Sequence, residues 1–343
     1  MSQTDRPGIS EKWLKIAEKP GKRKSPYAAP QVASQIVALE YFVAHGVSHQ
    51  QLAAGAIAGS ITPSSPPERA WEAYLHIDLH VYGAIRSCDW EIKGLNAQVW
   101  DHGLADAAFD AVRLAQLVAL QVHMLFLQRF PGRVLRRMSM RSLVFTALGL
   151  VNGRDTAALA LARAQLAALR RQYYDPDLVF PVSCFVARIL ADYLGQTPLL
   201  IKSDPSHLQK GEIRADPVMN ALFNAWRDPD AEALRAPLLA VCDVHTRLAF
   251  TGANSFRREF GNGIWTRTPI AALLVMKLRD LLGLANPQPD HPLLNTALGK
   301  LPVESRHVTD PLVDAVLARM TRDGFDQAEI LDHYSRPPGG LAT

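Results

Sequence analysis

The chain has 343 residues, of which 48% are hydrophobic and 20% charged. That composition excludes a disordered chain, a collagen-like chain and a small domain dependent on disulfide staples. Net charge is +4, and residues 1–25 alone carry seven basic and three acidic residues, so residues 26–343 sum to zero. The body therefore has no net excess to attract nucleic acid, and only the basic leading segment could contact it.

Residues 1–30 bear six prolines and glycines and read as a flexible basic lead-in. From Gln31 the apolar residues fall at helical spacing, and Thr62-Pro-Ser-Ser-Pro-Pro67 interrupts them. A long helix is expected from Pro66 to Ile92 and another from Asp101 to Arg129, stopped by Pro131-Gly132. Further helices follow at Val134–Val151, at Thr156–Gln172 with Asp155 as its cap, and at Val182–Leu194, closed by Gly195. Gln196–Arg214 reads as a loop or linker between an N-terminal helical region, 31–195, and a C-terminal one, 215–335; the two could equally be one continuous domain. Asp216-Pro217 and Asp228-Pro229 open helices, the second running over Asp230–Phe250. Pro269–Leu282 ends at Gly283, Pro287–Pro302 is turn-rich, Asp310-Pro311 opens a helix to Arg322, and Phe325–Tyr334 closes the series. Alternating β-branched runs are almost absent. The expected fold is all-α, an antiparallel bundle or solenoid-like array of ten or more helices without substantial sheet.

Cys88, Cys184 and Cys242 are sparse, odd in number and never at CxxC spacing, which fits buried thiols in a reducing cytoplasm. The leading residues have no apolar core of secretory type, and Leu114–Phe126 and Ile270–Leu284 are too interrupted by polar residues to span a membrane. A cytoplasmic location is expected.

Candidate chemistry is thin. His76 and His80 stand four apart on one expected helix with Asp78 between them, and His123 could add a third metal ligand, but no HExxH or paired ExxH accompanies them. Cys242 and His245 share a helix face at i, i+3 without any residues suited to an oxyanion hole; buried helix packing explains His245 more simply. Phosphate-binding glycine loops are missing. Trp265, Ile270, Leu274 and Leu278 fall on one helical face and should pack in the core, Trp265 as a structural anchor. No cofactor is expected, and a non-catalytic protein is favoured over the metal-dependent enzyme.

One longer pattern remains. Asp243 and His245 on one helix are followed by a mixed-charge loop with Arg257 and Glu259. Then come Gly263-Ile-Trp265, the helix from Ile270, Leu282-Gly-Leu284 and Asp290-His-Pro-Leu293. This order, over about residues 230–302, resembles the C-terminal helical domain of bacterial immunity proteins of the PoNi type. Thr268-Pro-Ile-Ala271 stands where that family carries a glutamate after the aromatic, and Asn286-Pro-Gln-Pro-Asp290 holds one acid where it has two. The resemblance implies a cytosolic antitoxin that binds a cognate protein toxin, for instance a nuclease, without catalysis and without a membrane, either as a monomer or as a homo-oligomer. Acidic residues would meet a basic toxin, and Asp228, Asp230, Glu232, Asp243 and Glu259, with Arg257 beside them, are the candidate contacts. A helical scaffold or adaptor is the other non-catalytic reading.

Overall fold

Alanine- and leucine-rich runs, cut by Asp-Pro starts and glycine stops, become helices in the computed structural model. It describes residues 105–129, 141–171, 173, 181–196, 200–202, 212–214, 216–248, 268–302, 311–322 and 324–336, with residues 40, 43 and 44. Among the described residues there are nine α-helices. They are α1 (Ala105–Arg129), α2 (Arg141–Val151), α3 (Asp155–Arg170), α4 (Pro181–Tyr193), α5 (Pro217–Ala225), α6 (Ala231–Leu248), α7 (Ile270–Leu281), α8 (Pro311–Arg322) and α9 (Gln327–Ser335). None of them is long and apolar enough to cross a membrane. The fold class is all-α, as the periodicity implies.

Two short strands qualify that statement. β1 (Leu200–Lys202) and β2 (Glu212–Arg214) pair in parallel, Ile201 opposite Ile213, inside the segment expected to be loop. Three residues each are too few for a period-two pattern to show in sequence.

Helix ends follow the sequence signals closely. Asp216 accepts from the backbone N–H of Val218 and Met219 and caps α5; Asp326 does the same for α9 through Ala328 and Glu329. Gly283 adopts φ +71°, which lets its N–H reach Asp280 O (3.0 Å) and the Leu284 N–H reach Arg279 O (2.9 Å). Those bonds satisfy carbonyls that the end of α7 would otherwise leave open. Gly153 ends α2 in the same way, at φ +84°. One expected cap is different. Arg154, not Asp155, occupies the position before α3 and offers no side-chain capping bond, its guanidinium pairing with Asp110 of α1 instead, while Asp155 lies within the first turn and pairs with Lys277 of α7 at 3.0 Å. A carboxylate there still suits the positive helix end.

The core is one continuous cluster drawn from α1 through α9. At its centre is α7, which packs on α2, α4 and α6. Ile270, Leu274 and Leu278 are buried as their spacing predicts, but so are Ala271, Ala272, Leu273, Val275 and Arg279. A helix apolar on nearly all sides belongs inside rather than on a surface. Trp265 lies outside the described residues. Helix α6, by contrast, shows a one-sided face: Leu234, Leu238, Val241, Cys242 and His245 are buried.

α1 and α2 approach closely because Gly149 has no side chain. A Cβ there would stand 2.0 Å from Cε2 of the buried Phe109 ring. Overpacking of this kind costs up to ~3 kcal/mol, against the ~1 kcal/mol that alanine gains over glycine in a helix. Gly149→Ala is therefore expected to lower the melting temperature, and a value at or above the parent's would mean that the ring can step aside.

Candidate interaction surface

The turn joining α5 to α6 carries three of the acidic candidates. Asp228, Asp230 and Glu232 are all exposed. Asp228 Oδ1 accepts from the Asp230 N–H (2.9 Å), and Asp230 Oδ1 accepts from the Glu232 N–H (2.9 Å), which makes Asp230 the cap of α6. Glu232 holds Arg235 through both carboxylate oxygens, at 2.5 and 2.8 Å, and that hydrogen bonding lowers the Glu232 pKa. Local geometry thus employs each carboxylate while leaving it in water.

A second turn is fastened to the first. Arg279, in the last turn of α7, is 0% exposed. Its Nη1 donates to the carbonyls of Trp226 (2.8 Å) and Asp228 (2.7 Å); Nε and Nη2 both donate to Ala285 O, at 3.1 and 2.5 Å. Arg235 Nη1 adds a bond to Gln288 O at 3.0 Å. The 226–232 turn and the 280–288 turn therefore form one surface. It displays Asp228, Asp230 and Asp280, none of which has an ion pair among the described residues, and the partly exposed Leu281 (37%) and Leu282 (41%). Arg227 and Arg235, the basic residues of the first turn, are matched by Asp192 (2.8 Å) and Glu232 (2.5 Å). The surface carries net negative charge although the body of the chain is neutral.

Asp243 is not part of this surface. It lies 13 residues beyond Asp230 along α6, about 20 Å at the helical rise. There it accepts from His291 Nε2 at 3.2 Å. His291 Nδ1 accepts the Leu293 N–H at 3.0 Å, which places the ring proton on Nε2. With both nitrogens engaged and the ring 0% exposed, the pair clamps the 287–296 turn to α6 and has no free nitrogen for proton transfer. Its signal in the sequence is Asp290-His-Pro, but the partner is 48 residues away, and spacing alone does not connect them. Beside it, burial and the Asp243 charge push the Cys242 thiol well above its ordinary range. Cys242 remains a protonated core residue rather than a nucleophile. His245, one turn on, is 2% exposed.

His123, on α1, is buried against Tyr173, just past α3, and Tyr334 of α9. Its ring stacks on Tyr173 at 4.1 Å, and Nδ1 meets the Tyr334 hydroxyl at 2.7 Å. That hydroxyl donates to Leu120 O (3.1 Å), so it accepts from Nδ1–H. Tyr173 donates to Ala119 O at 2.6 Å. Burial, with Arg171 and His333 nearby, lowers the His123 pKa to about 3. Among the described residues no group of three or more His, Cys, Asp or Glu could hold a metal, and nothing in this geometry assigns His123 to one. His76, Asp78, His80, Arg257 and Glu259 lie outside the described residues.

Compared with known proteins, the chain matches no family model, no curated protein and no solved structure.

Proposed function

We propose that this chain is a non-catalytic helical binding protein of the immunity type, which neutralises a cognate basic protein toxin, a nuclease being one such target. The observation that carries the reading is the surface built by Arg279. Two turns are locked together, and between them they expose three carboxylates without ion pairs among the described residues and two partly exposed leucines. Exposed carboxylates together with exposed apolar side chains suit protein recognition, and negative potential steers a basic partner. Backbone N–H groups hold Asp228 and Asp230, the Asn286 amide holds Asp280 and Arg235 holds Glu232 before binding, which reduces the ordering cost of association.

Native mass spectrometry of the protein purified gently from its host tests this. The expected result is a basic polypeptide bound in stoichiometric amount. It should be toxic when expressed alone and silent when co-expressed with this chain. Asp228→Asn, Asp230→Asn and Asp280→Asn together keep the amide-compatible turn bonds and remove three charges. They should weaken the complex and flatten its salt dependence. An absent partner, or a partner held equally well by the triple variant at low salt, would refute the proposal.

A further inference from the structure

Helix α9 lies on α1 and α3 through a cluster whose bonding requires a neutral histidine. His333 Nε2 is 2.8 Å from Arg171 Nη1. A guanidinium only donates, so this nitrogen accepts, and the imidazole proton must be on Nδ1. Arg171 lies just past α3. It reaches the carbonyls of His333 and Arg336 through Nη2, both at 3.4 Å, and sits over the Tyr334 ring at 5.1 Å. Tyr334 in turn bonds His123 and the α1 backbone. One arginine therefore binds the end of α9 by three bonds and a ring face.

We infer that the Arg171–His333 contact is an acid-released latch for α9. Protonation of His333 removes the lone pair that receives Arg171 and sets a second positive charge 2.8 Å from the first. The groups facing His333 do not relieve that repulsion. Arg171 comes from the end of α3, Arg336 and Asp332 from its own segment, and neutral His123 from α1. Asp332 is the one carboxylate in the set, and it is already paired with Arg336. Consistent with this, burial first, then Arg171 and Arg336, hold the His333 pKa below its ordinary value, with Asp332 opposing. A group with a depressed pKa in the docked state favours docking fully above about pH 6.5, and that preference falls as pH drops below it. Arg113 Nη2, which donates to Gln327 Oε1 at 2.7 Å, fixes the far end of α9 and has no comparable dependence near neutral pH.

Hydrogen exchange on the full chain, corrected for intrinsic rates, tests the latch. From pH 7.5 to 5.0 the α9 amides should lose protection while those of α7 keep theirs. His333→Gln supplies an amide oxygen that can accept from Arg171 and does not titrate. Its α9 opening should depend less steeply on pH, by about one proton, or roughly tenfold per pH unit. As a second measurement, the His333 ring titration followed by NMR should move up in Arg171→Gln. Equal pH slopes in the parent and His333→Gln, simultaneous loss of α7 and α9 protection, or an unmoved His333 titration would each overturn the latch.

Discussion

Arg279→Ala is expected to lower the unfolding free energy by about 3–5 kcal/mol, seen as a reduced denaturant midpoint with little change in slope. The guanidinium is fully buried, and four of its hydrogen bonds end on backbone carbonyls. Trp226 caps α5, and Ala285 follows the end of α7, so the positive charge sits where two helices present their negative ends. The Asp228 and Asp280 carboxylates add attraction, opposing the downward pull of desolvation on its pKa. Alanine would leave the carbonyls of Trp226, Asp228 and Ala285 without their donor and open a cavity where the guanidinium was buried. Arg279→Lys should fall between parent and alanine, because an ammonium cannot span two turns with a planar fork. If the proposed function holds, the same variants should also weaken capture of the toxin, since Arg279 joins the halves of the acidic surface. An alanine variant within about 1 kcal/mol of the parent would show that water replaces the fork without cost.

The parts of this fold legible in the sequence are those decided locally. Asp216-Pro217 and Asp310-Pro311 mark helix starts, and Gly195 and Gly283 mark ends, because capping and φ are settled within a few residues. What needed tertiary contact was not visible. Arg279 reads as a polar interruption of an apolar run, and half of its carbonyl cage, from Trp226 and Asp228, lies about 50 residues earlier in the chain. His291 belongs to Asp243 only after α6 and the 287–296 turn are packed together. Asp228, Asp230 and Glu232 were legible as an acidic group, while their link to Asp280 and to the leucine pair depended on Arg279. In sequence His123 reads as a structural histidine or, less readily, as a third metal ligand, and its ring partners could not be named because neither Tyr173 nor Tyr334 is near it in the chain.

His123 should also make the whole fold sensitive to acid. Unfolded, its imidazole titrates near 6.5; folded, burial chiefly and the neighbouring positive groups hold it at about 3. The folded state therefore binds fewer protons than the unfolded state throughout that window. Stability is complete above about pH 6.5 and is lost as pH falls toward 3, by about 1.4 kcal/mol per pH unit from this residue alone. By pH 4 the loss is roughly 3 kcal/mol. Carboxylates add their own acid dependence, so the informative quantity is a difference. His123→Phe keeps a ring against Tyr173 and removes both the titration and the buried Nε2, which lacks a hydrogen-bond partner. Tyr334 loses its Nδ1–H donor but still donates to Leu120 O. The variant should unfold with a pH slope shallower by one proton between pH 6 and 4. Identical slopes for parent and variant would place the acid-labile group elsewhere. A shallower slope in His123→Phe, with α9 still opening in acid ahead of α7, would separate this core effect from the Arg171–His333 latch.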